Sequence, residues 1–157
     1  FQTPQLFSRL SVIDNVRVAH QRQRRARLRV DDLLELVGLT EVAHHQAENL
    51  AYGQQRLLEV ARALASSPRL LLLDEPAAGL ASEDTERLSR LLKLIVTQFG
   101  VAVMIVEHNV PLVRRVADRI SVMHHGLVIA TGAPDDVLND PAVIAAYLGG
   151  GNPSTEH

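Results

Sequence analysis

The stretch Leu70-Leu71-Leu72-Leu73-Asp74-Glu75-Pro76 decides the fold class of this chain. An unbroken apolar run of this length is typical of a strand that is covered on both faces, as strands of parallel sheets are. Two carboxylates follow at the end of the predicted strand, where ligands of open α/β sheets bind. Asp74 and Glu75 are therefore candidate site residues, and the alternative is an acidic turn without a chemical role.

A second apolar run, Val101 to Val106, ends in the same way and is followed by Glu107-His108. Between the two runs, apolar residues recur at helical spacing from a predicted cap at Ser82 to a stop at Gly100. The order strand, helix, strand predicts parallel pairing within an α/β fold. His108 is then expected near Asp74 and Glu75, where an imidazole could reach a phosphate or a catalytic water. A purely structural histidine is the alternative.

Helices are predicted on both sides of this central part. Upstream, helices are expected to open at Ser11 to Val16 and to span residues 31–37 and 54–66, the last with an apolar stripe of Leu57, Leu58, Ala61, Leu64 and Ala65. Downstream, we predict a helix capped by Asn109, strands over 120–123 and 127–130, and a short helix from Asp140-Pro141 to Gly149. Residues 150–157 are expected to be a disordered tail.

The composition excludes several functional classes. The chain has 157 residues, a net charge of −2 and only 3% aromatic residues, so no nucleic-acid partner is predicted. It has no cysteine, which excludes disulfides and thiolate metal sites. No apolar run reaches the roughly 20 residues of a membrane-spanning helix.

A third candidate site is Asn49-Leu50-Ala51-Tyr52-Gly53-Gln54-Gln55-Arg56. A glycine at the start of a helix lets the backbone approach an anion closely, and the helix N-terminus favours a phosphate there. An ordinary glycine-containing turn before a helix is the alternative.

The order of these pieces resembles that of the ABC ATPases: a loop glutamine at Gln2, the segment 50–55, the strand ending at Asp74-Glu75, and His108. The resemblance covers residues 1–149. It implies a P-loop NTPase-like α/β fold that is truncated, with a helical subdomain over about 8–66 and the C-terminal part of the RecA-like core, a mostly parallel sheet flanked by helices, over 67–149.

The resemblance also implies a role for each site residue. Gln2 and Asp74 would hold Mg²⁺. The catalytic residues would be Gln2, Glu75 and His108, with Glu75 as the base and His108 in contact with the γ-phosphate. The signature motif that contacts ATP would be formed by Ala51, Tyr52, Gly53, Gln54 and Gln55. This sequence has Ala-Tyr-Gly-Gln where Ser-Gly-Gly-Gln is usual, and the following segment 78–82 lacks the aspartate that many members carry.

Within that family, Leu-Ala-Tyr-Gly-Gln-Gln, Asp-Glu-Pro-Ala-Ala-Gly-Leu and Ile-Val-Glu-His-Asn resemble the ATP-binding subunits of branched-chain amino acid importers and of related urea or amide importers. The resemblance implies ATP and Mg²⁺ as cofactors. It implies two kinds of partner, a second ATP-binding subunit and transmembrane permease subunits, and a peripheral position on the cytoplasmic face of the inner membrane. The arginine-rich stretch 17–29 would be either a solvated basic face or a contact with that membrane partner.

The sequence contains no Gly-x-x-x-x-Gly-Lys-[Ser/Thr] phosphate loop, and its single lysine, Lys93, lies inside a predicted helix. We therefore expect a fragment of such a subunit that is inactive on its own, with an unpaired apolar strand edge that favours association. One alternative is a non-catalytic module that pairs with an intact ATPase. Another is the head of a DNA-repair or chromosome-organising ATPase, but these usually carry coiled coils or zinc modules in the interval that here spans only 3–49.

Overall fold

A computed structural model describes residues 5–21 and 28–148 of the chain. The described residues divide into two compact units, and the boundary in the sequence lies between His108 and Asn109. Gln2, residues 22–27 of the basic stretch and the predicted tail at 150–157 lie outside the described residues. The division of the sequence at 66/67 stays a prediction.

In the described part of the chain, no helix has both the length and the apolar character needed to cross a membrane.

Three helices open the first unit, as the sequence predicts. They are α1 (Val12–His20), α2 (Val30–Leu36) and α3 (Tyr52–Ala65), and the short 3₁₀ turns Thr40–Val42 and Ala47–Asn49 lie between the last two. The Ser11 hydroxyl accepts a hydrogen bond from the Asp14 amide and so caps α1. Helix α3 begins two residues earlier than the predicted 54–66, at Tyr52.

The apolar faces of these three helices form a common core. Both α2 and α3 pack against α1, and the side chains of Val12, Leu33 and Leu58 have no solvent-exposed surface. The predicted stripe of α3 is confirmed, because all of its members are buried: Leu57, Leu58, Ala61, Leu64 and Ala65. Burial of this stripe fixes which face of α3 points to solvent and to the neighbouring loops.

The rest of the first unit is a strand, a helix and a strand: β1 (Leu70–Asp74), α4 (Ser82–Phe99) and β2 (Ala102–Val106). The predicted parallel pairing is confirmed, with Leu70 opposite Ala102 and Asp74 opposite Val106. The predicted cap at Ser82 is wrong, since Ser82 is already helical and the extended residue before it, Ala81, has no side-chain oxygen to accept a bond.

The two faces of the strand pair differ in exposure. Leu71 is buried, and α4 packs against β2. On the opposite face Leu72 is 66% exposed and Met104 is 60% exposed, and Leu70 and Val106 are exposed as well. The prediction that this strand is covered on both faces is therefore wrong, because within the described residues β1 and β2 pair only with each other and no element covers the second face.

The second unit is a helix, a hairpin and two more helices: α5 (Val110–Val116), β3 (Ile120–His124), β4 (Leu127–Gly132), α6 (Pro134–Leu138) and α7 (Pro141–Leu148). The strands β3 and β4 pair antiparallel around His125 and Gly126, both at positive φ, and the Asn109 side chain caps α5 as predicted. Helix α6 was not predicted, although Pro134 in its first turn is a helix-start signal.

Candidate functional site at the carboxyl ends of the parallel strands

The first part of the site is the turn that follows β1. Asp74 is the last residue of the strand, and the Glu75 amide donates to the Val106 carbonyl at 2.8 Å, which extends the ladder by one residue. Glu75 has φ +46°, in the left-handed region that non-glycine residues rarely occupy. Strain of this kind is found at functional sites, and here it turns the chain at the point where the two carboxylates stand.

The structure brings Glu75 and His108 together. Glu75 Oε1 lies 3.9 Å from His108 Nδ1, and the two side chains are 45% and 71% exposed. The separation is too long for a hydrogen bond, but the imidazole, once protonated, forms an ion pair with this carboxylate across it. The predicted proximity of His108 to the end of β1 is thus confirmed, while the catalytic roles of both residues stay predictions.

Glu107 connects the ends of the two strands. Its Oε1 accepts from the Ala77 amide at 2.8 Å, and its Oε2 accepts from the His108 amide at 3.0 Å. One carboxylate therefore holds both the turn after Glu75 and the backbone of the histidine. No role was predicted for Glu107, although its position beside His108 at the end of an apolar strand was a usable signal.

The chain after Glu75 returns toward the start of α3. The Ala78 amide donates to the Glu75 carbonyl, and Gly79 follows with φ +74°. A Cβ atom placed on Gly79 would lie 3.2 Å from Cε1 of Tyr52. The Tyr52 ring thus packs against the backbone of Gly79, and this contact joins the predicted signature segment to the turn that carries Glu75.

The first turn of α3 is formed by the predicted cofactor-binding residues. Ala51 precedes the helix and has no side-chain acceptor for the first-turn amides. The Gln54 side chain accepts from the Ala51 amide at 3.2 Å, and the Gln55 side chain donates to the Leu50 carbonyl at 3.0 Å. Both glutamine side chains therefore fold back on the helix start and fix its backbone.

A carboxylate of the same unit closely approaches Gly53. A Cβ atom at this position would lie 2.3 Å from Oδ2 of Asp84, in the first turn of α4. The Asp84 carboxylate thus leaves little room for a side chain at residue 53, and the predicted contact of this glycine with a phosphate stays a prediction. Any side chain at residue 53 would displace Asp84.

The polar face of α3 carries a buried hydrogen-bond chain. Arg56, only 7% exposed, donates through Nε and Nη2 to the Tyr52 hydroxyl at 3.1 and 2.8 Å, and through Nη1 to Glu59 at 3.0 Å. Burial works against the charge of Arg56, but the hydrogen bonds to Glu59 and Tyr52 outweigh it and raise the pKa of this guanidinium above its usual value. The guanidinium therefore stays charged and fixed between its two partners.

The loop before α1 is held against the same face of α3. The Gln5 amide donates to Glu59, and Arg62 donates to the Gln5 carbonyl. The Arg62 guanidinium carbon lies 4.8 Å from the centroid of the Phe7 ring, and burial, only partly opposed by the charge of Glu59, lowers the pKa of Arg62. Asn15, fully buried, exchanges two 3.0 Å hydrogen bonds with the backbone of Phe7.

The residues of the site could bind Mg²⁺ only if water and substrate phosphates supplied the other ligands. Among the described residues no group of three or more His, Asp or Glu side chains could hold a metal. Mg²⁺ takes one or two protein carboxylates and completes its octahedron with water and substrate phosphates, so Asp74 alone suits it. The fit to ATP is incomplete, since Lys93 is exposed on α4 and the sequence has no other lysine to neutralise phosphates.

Two family profiles match the chain. The profile of the ABC transporter family matches residues 1–78. That of the branched-chain amino acid ATP-binding cassette transporter matches residues 128–152. The first match contains the segment 50–55 and the end of β1, and the second contains all of β4 except its first residue, together with α6 and α7.

Two relatives are similar over most of the chain. The high-affinity branched-chain amino acid transport ATP-binding protein LivG of Escherichia coli (strain K12) is 39% identical over 168 residues, which cover 95% of this chain and 66% of LivG. The corresponding protein BraF of Pseudomonas aeruginosa is 38% identical, with the same shares. The chain thus spans slightly less than two thirds of the length of these relatives.

The fold agrees with that of a solved ATP-binding cassette. The ADP conformation of MJ1267, an ATP-binding cassette of an ABC transporter, superposes with a TM-score of 0.78 at 28% identity, and the match covers 95% of this chain and 66% of that one. The predicted P-loop NTPase-like α/β fold is confirmed by this agreement and by the α/β elements of the chain.

Proposed function

The chain belongs to the ABC transporter family, and on that premise we propose that it is part of the ATP-hydrolysing subunit of an importer for branched-chain amino acids. The observation that carries the proposal is the 3.9 Å approach of Glu75 to His108 at the ends of two parallel strands, beside Asp74. The transported substrate is proposed from the names of LivG and BraF, which are branched-chain amino acid transport proteins.

In the proposed mechanism, the residues at the ends of β1 and β2 would carry out the hydrolysis of ATP. Asp74 and Gln2 would hold Mg²⁺, which would supply positive charge to the phosphates of ATP. Glu75 would accept a proton from the attacking water. His108 would donate a hydrogen bond to an oxygen of the γ-phosphate, and Glu107 accepts a hydrogen bond from the His108 amide and so holds its backbone near Glu75.

We assign the segment 51–55 to an ATP molecule that is held by a second ATP-binding subunit. The N-terminus of α3 carries the positive end of a 14-residue helix, which favours a phosphate. The 157-residue sequence has no phosphate loop of its own. The chain by itself is therefore proposed to hydrolyse no ATP, because Gln2, Asp74, Glu75 and His108 would act on a nucleotide that such a loop, joined to this same chain, would hold.

An importer subunit of this type acts on permease subunits, so we extend the proposal to them. They would be the second class of partner, and the chain would lie peripherally on the cytoplasmic face of the membrane. The arginine-rich stretch 17–29 is the proposed contact. Reversing the charge of Arg24 and Arg25 is expected to weaken co-purification with the permease, and unchanged assembly would contradict this assignment.

Calorimetric titration of the chain with Mg²⁺-ATP, followed by a phosphate-release assay, tests the central proposal. We expect no binding at millimolar nucleotide and no turnover by the chain alone. With the phosphate-loop segment of an ATP-binding subunit joined to its start, the chain is expected to hydrolyse ATP, and turnover is expected to fall by a factor of about 10² or more in Glu75→Gln, as for loss of a general base. Glu35→Gln, an exposed change on α2, is the matched control and is expected to leave turnover unchanged.

Two outcomes would contradict the proposal. Turnover by the isolated chain that Glu75→Gln abolishes would show that the chain needs no added phosphate loop. Equal turnover by wild type and Glu75→Gln of the chain joined to that loop would remove the catalytic role of Glu75 and favour a non-catalytic interaction module.

A further inference from the structure

One polar face of α3 links two segments that are far apart in the sequence. Tyr52, Arg56 and Glu59 follow one another at spacings of four and three residues, so they lie on the same side of the helix. We propose that Tyr52 is a positioning residue, which through Arg56 and Glu59 holds the backbone of Gln5 in a fixed place relative to Gly79.

These side chains form a relay of contacts from Gly79 through Tyr52, Arg56 and Glu59 to Gln5. Its first contact is between Tyr52 and Gly79. A Cβ atom on Gly79 would lie 3.2, 3.7 and 3.8 Å from Cε1, Cζ and Oη of the tyrosine. The ring edge and the hydroxyl therefore lie directly over the glycine backbone. Since Gly79 follows the turn that begins at Glu75, this contact sets the distance between that turn and the first turn of α3.

The second contact carries the position of the Tyr52 hydroxyl to Glu59. Arg56 donates two hydrogen bonds to the hydroxyl and a third to Glu59, and the planar guanidinium fixes their relative directions. The guanidinium carbon is also 5.2 Å from the Tyr52 ring centroid. Charge-assisted bonds of a buried guanidinium are stronger than neutral ones, so a displaced hydroxyl would displace Arg56 with it.

The third contact ends on a single residue of the loop before α1. Glu59 accepts from the Gln5 amide with one carboxylate oxygen and from Arg56 with the other. Arg62, one turn further along α3, donates to the Gln5 carbonyl. The backbone of Gln5 is therefore held through both its N–H and its C=O by a carboxylate and a guanidinium of the same helix.

The relay concerns the loop that carries Gln2, because Gln5 is three residues further along the chain. It therefore deepens the proposed function: the signature segment and the turn after Glu75 would be held in place relative to Gln5. In the signature segment of this sequence the residue that makes the connection is Tyr52, where the common motif has a glycine with no side chain to do so.

Amide hydrogen exchange measured by NMR on the whole ¹⁵N-labelled chain, without nucleotide, tests the relay. Tyr52→Phe keeps the ring over Gly79 and removes the hydroxyl that Arg56 binds. We expect the Gln5 amide to exchange about tenfold faster, as for the loss of a hydrogen bond to a charged group. The amide of Leu58, in the helical core, is expected to keep its wild-type rate.

Two further variants complete the test. Tyr147→Phe, the same change in the second unit, is the matched control and is expected to leave Gln5 exchange unchanged. Arg56→Lys breaks the relay in its middle, because an ammonium cannot hold the tyrosine and the glutamate in one plane. It is expected to accelerate Gln5 exchange as Tyr52→Phe does, and it gives the same reading if the tyrosine variant does not fold.

An unchanged Gln5 rate in Tyr52→Phe would overturn the proposal, since the hydroxyl would then not act on the loop. Equal acceleration at Gln5 and Leu58 would overturn it as well, because Tyr52 would then contribute only to global stability. Neither the Gln5 nor the Leu58 exchange rate is measured with nucleotide present. Turnover by the isolated chain that Glu75→Gln abolishes would thus refute the proposed function and leave the relay intact.

Discussion

The helical core of α1, α2 and α3 and the strand pair β1–β2 are built from the same aliphatic residue types, but they bury them to different extents. Leu58 on α3 has no exposed surface, whereas Leu72 on β1 is 66% exposed and Met104 on β2 is 60% exposed. Three amphipathic helices can form a core by themselves, because the apolar stripe of each helix can face the same central axis. A two-stranded sheet has two apolar faces, and the single helix α4 covers one.

This difference explains what each region needs from the rest of the protein. The helical core is complete within the described residues, so its side chains contribute fully to the stability of the unit. The open face of the strand pair contributes little to stability and remains available for a neighbour. Substitutions in the helical core and in the strand pair test this difference, and they follow in order from the largest expected effect to the smallest.

Leu58→Ala removes a fully buried side chain from the helical core. The expected loss is about 2–5 kcal/mol in the free energy of unfolding, because the cavity adds to the lost transfer energy. Urea denaturation followed by circular dichroism measures it. A loss below about 1 kcal/mol would mean that the site collapses or is not buried, and the contrast with the strand pair would disappear.

Asn15→Ala tests the polar part of the same core. The asparagine amide is fully buried and satisfies both the N–H and the C=O of Phe7, so its removal leaves these part-buried backbone groups without these partners. We expect a loss of about 1–3 kcal/mol in the same denaturation experiment. Exchange at the Phe7 amide is expected to rise as well, and a variant as stable as wild type would show that water replaces the side chain.

The double change Leu72→Ser with Met104→Ser tests the open face of the strand pair. Stability is expected to change by no more than about 0.5 kcal/mol, because neither side chain leaves a buried environment. Sedimentation velocity is expected to show weaker self-association than in wild type, since an exposed apolar face and open strand edges favour contact between chains.

Leu71→Ser is the control for this pair, on the same strand but with its side chain buried. It is expected to destabilise the unit strongly and to leave the open face intact. A wild-type chain that sediments as a monomer at all concentrations would contradict the association prediction.

The smallest effect is expected at Asp14, on the exposed side of α1. The hydrogen bond from Ser11, and then that from Arg17, lower the pKa of this carboxyl below 3.8. Because the pKa of Asp14 is lower in the folded than in the unfolded state, the carboxylate stabilises the folded state at any pH above its unfolded-state pKa. This contribution is lost as the pH falls through the folded-state pKa. The difference in stability between wild type and Asp14→Asn is therefore expected to shrink below about pH 4. A difference that is independent of pH in acid would contradict this.

Much of the candidate site follows from local sequence signals. The leucine run and the apolar run at 101–106 predict two strands, and the helix between them predicts parallel pairing, which brings Glu75 and His108 together as observed. These predictions succeed because periodicity and chain order are properties of neighbouring residues. The resemblance of the short motifs to a known family supplied the roles, which the backbone pattern alone leaves open.

The parts that were missed depend on contacts between distant residues. An apolar strand does not reveal how many of its faces are covered, since that is decided by elements elsewhere in the protein. The role of Glu107 depends on the turn at Ala77, 30 residues away along the chain. The spacing of Tyr52, Arg56 and Glu59 was visible in the sequence, but their connection to Gln5 required knowledge of the loop before α1.

The close approach of Gly53 to Asp84 has a consequence for how this sequence can diverge. A side chain at residue 53 would occupy the place of the Asp84 carboxylate, so the two positions constrain each other even though they lie on different helices. In descendants of this chain, a substitution at Gly53 is expected to become acceptable only after residue 84 has become smaller or has turned away. The two positions are therefore expected to co-vary, with residue 84 changing first.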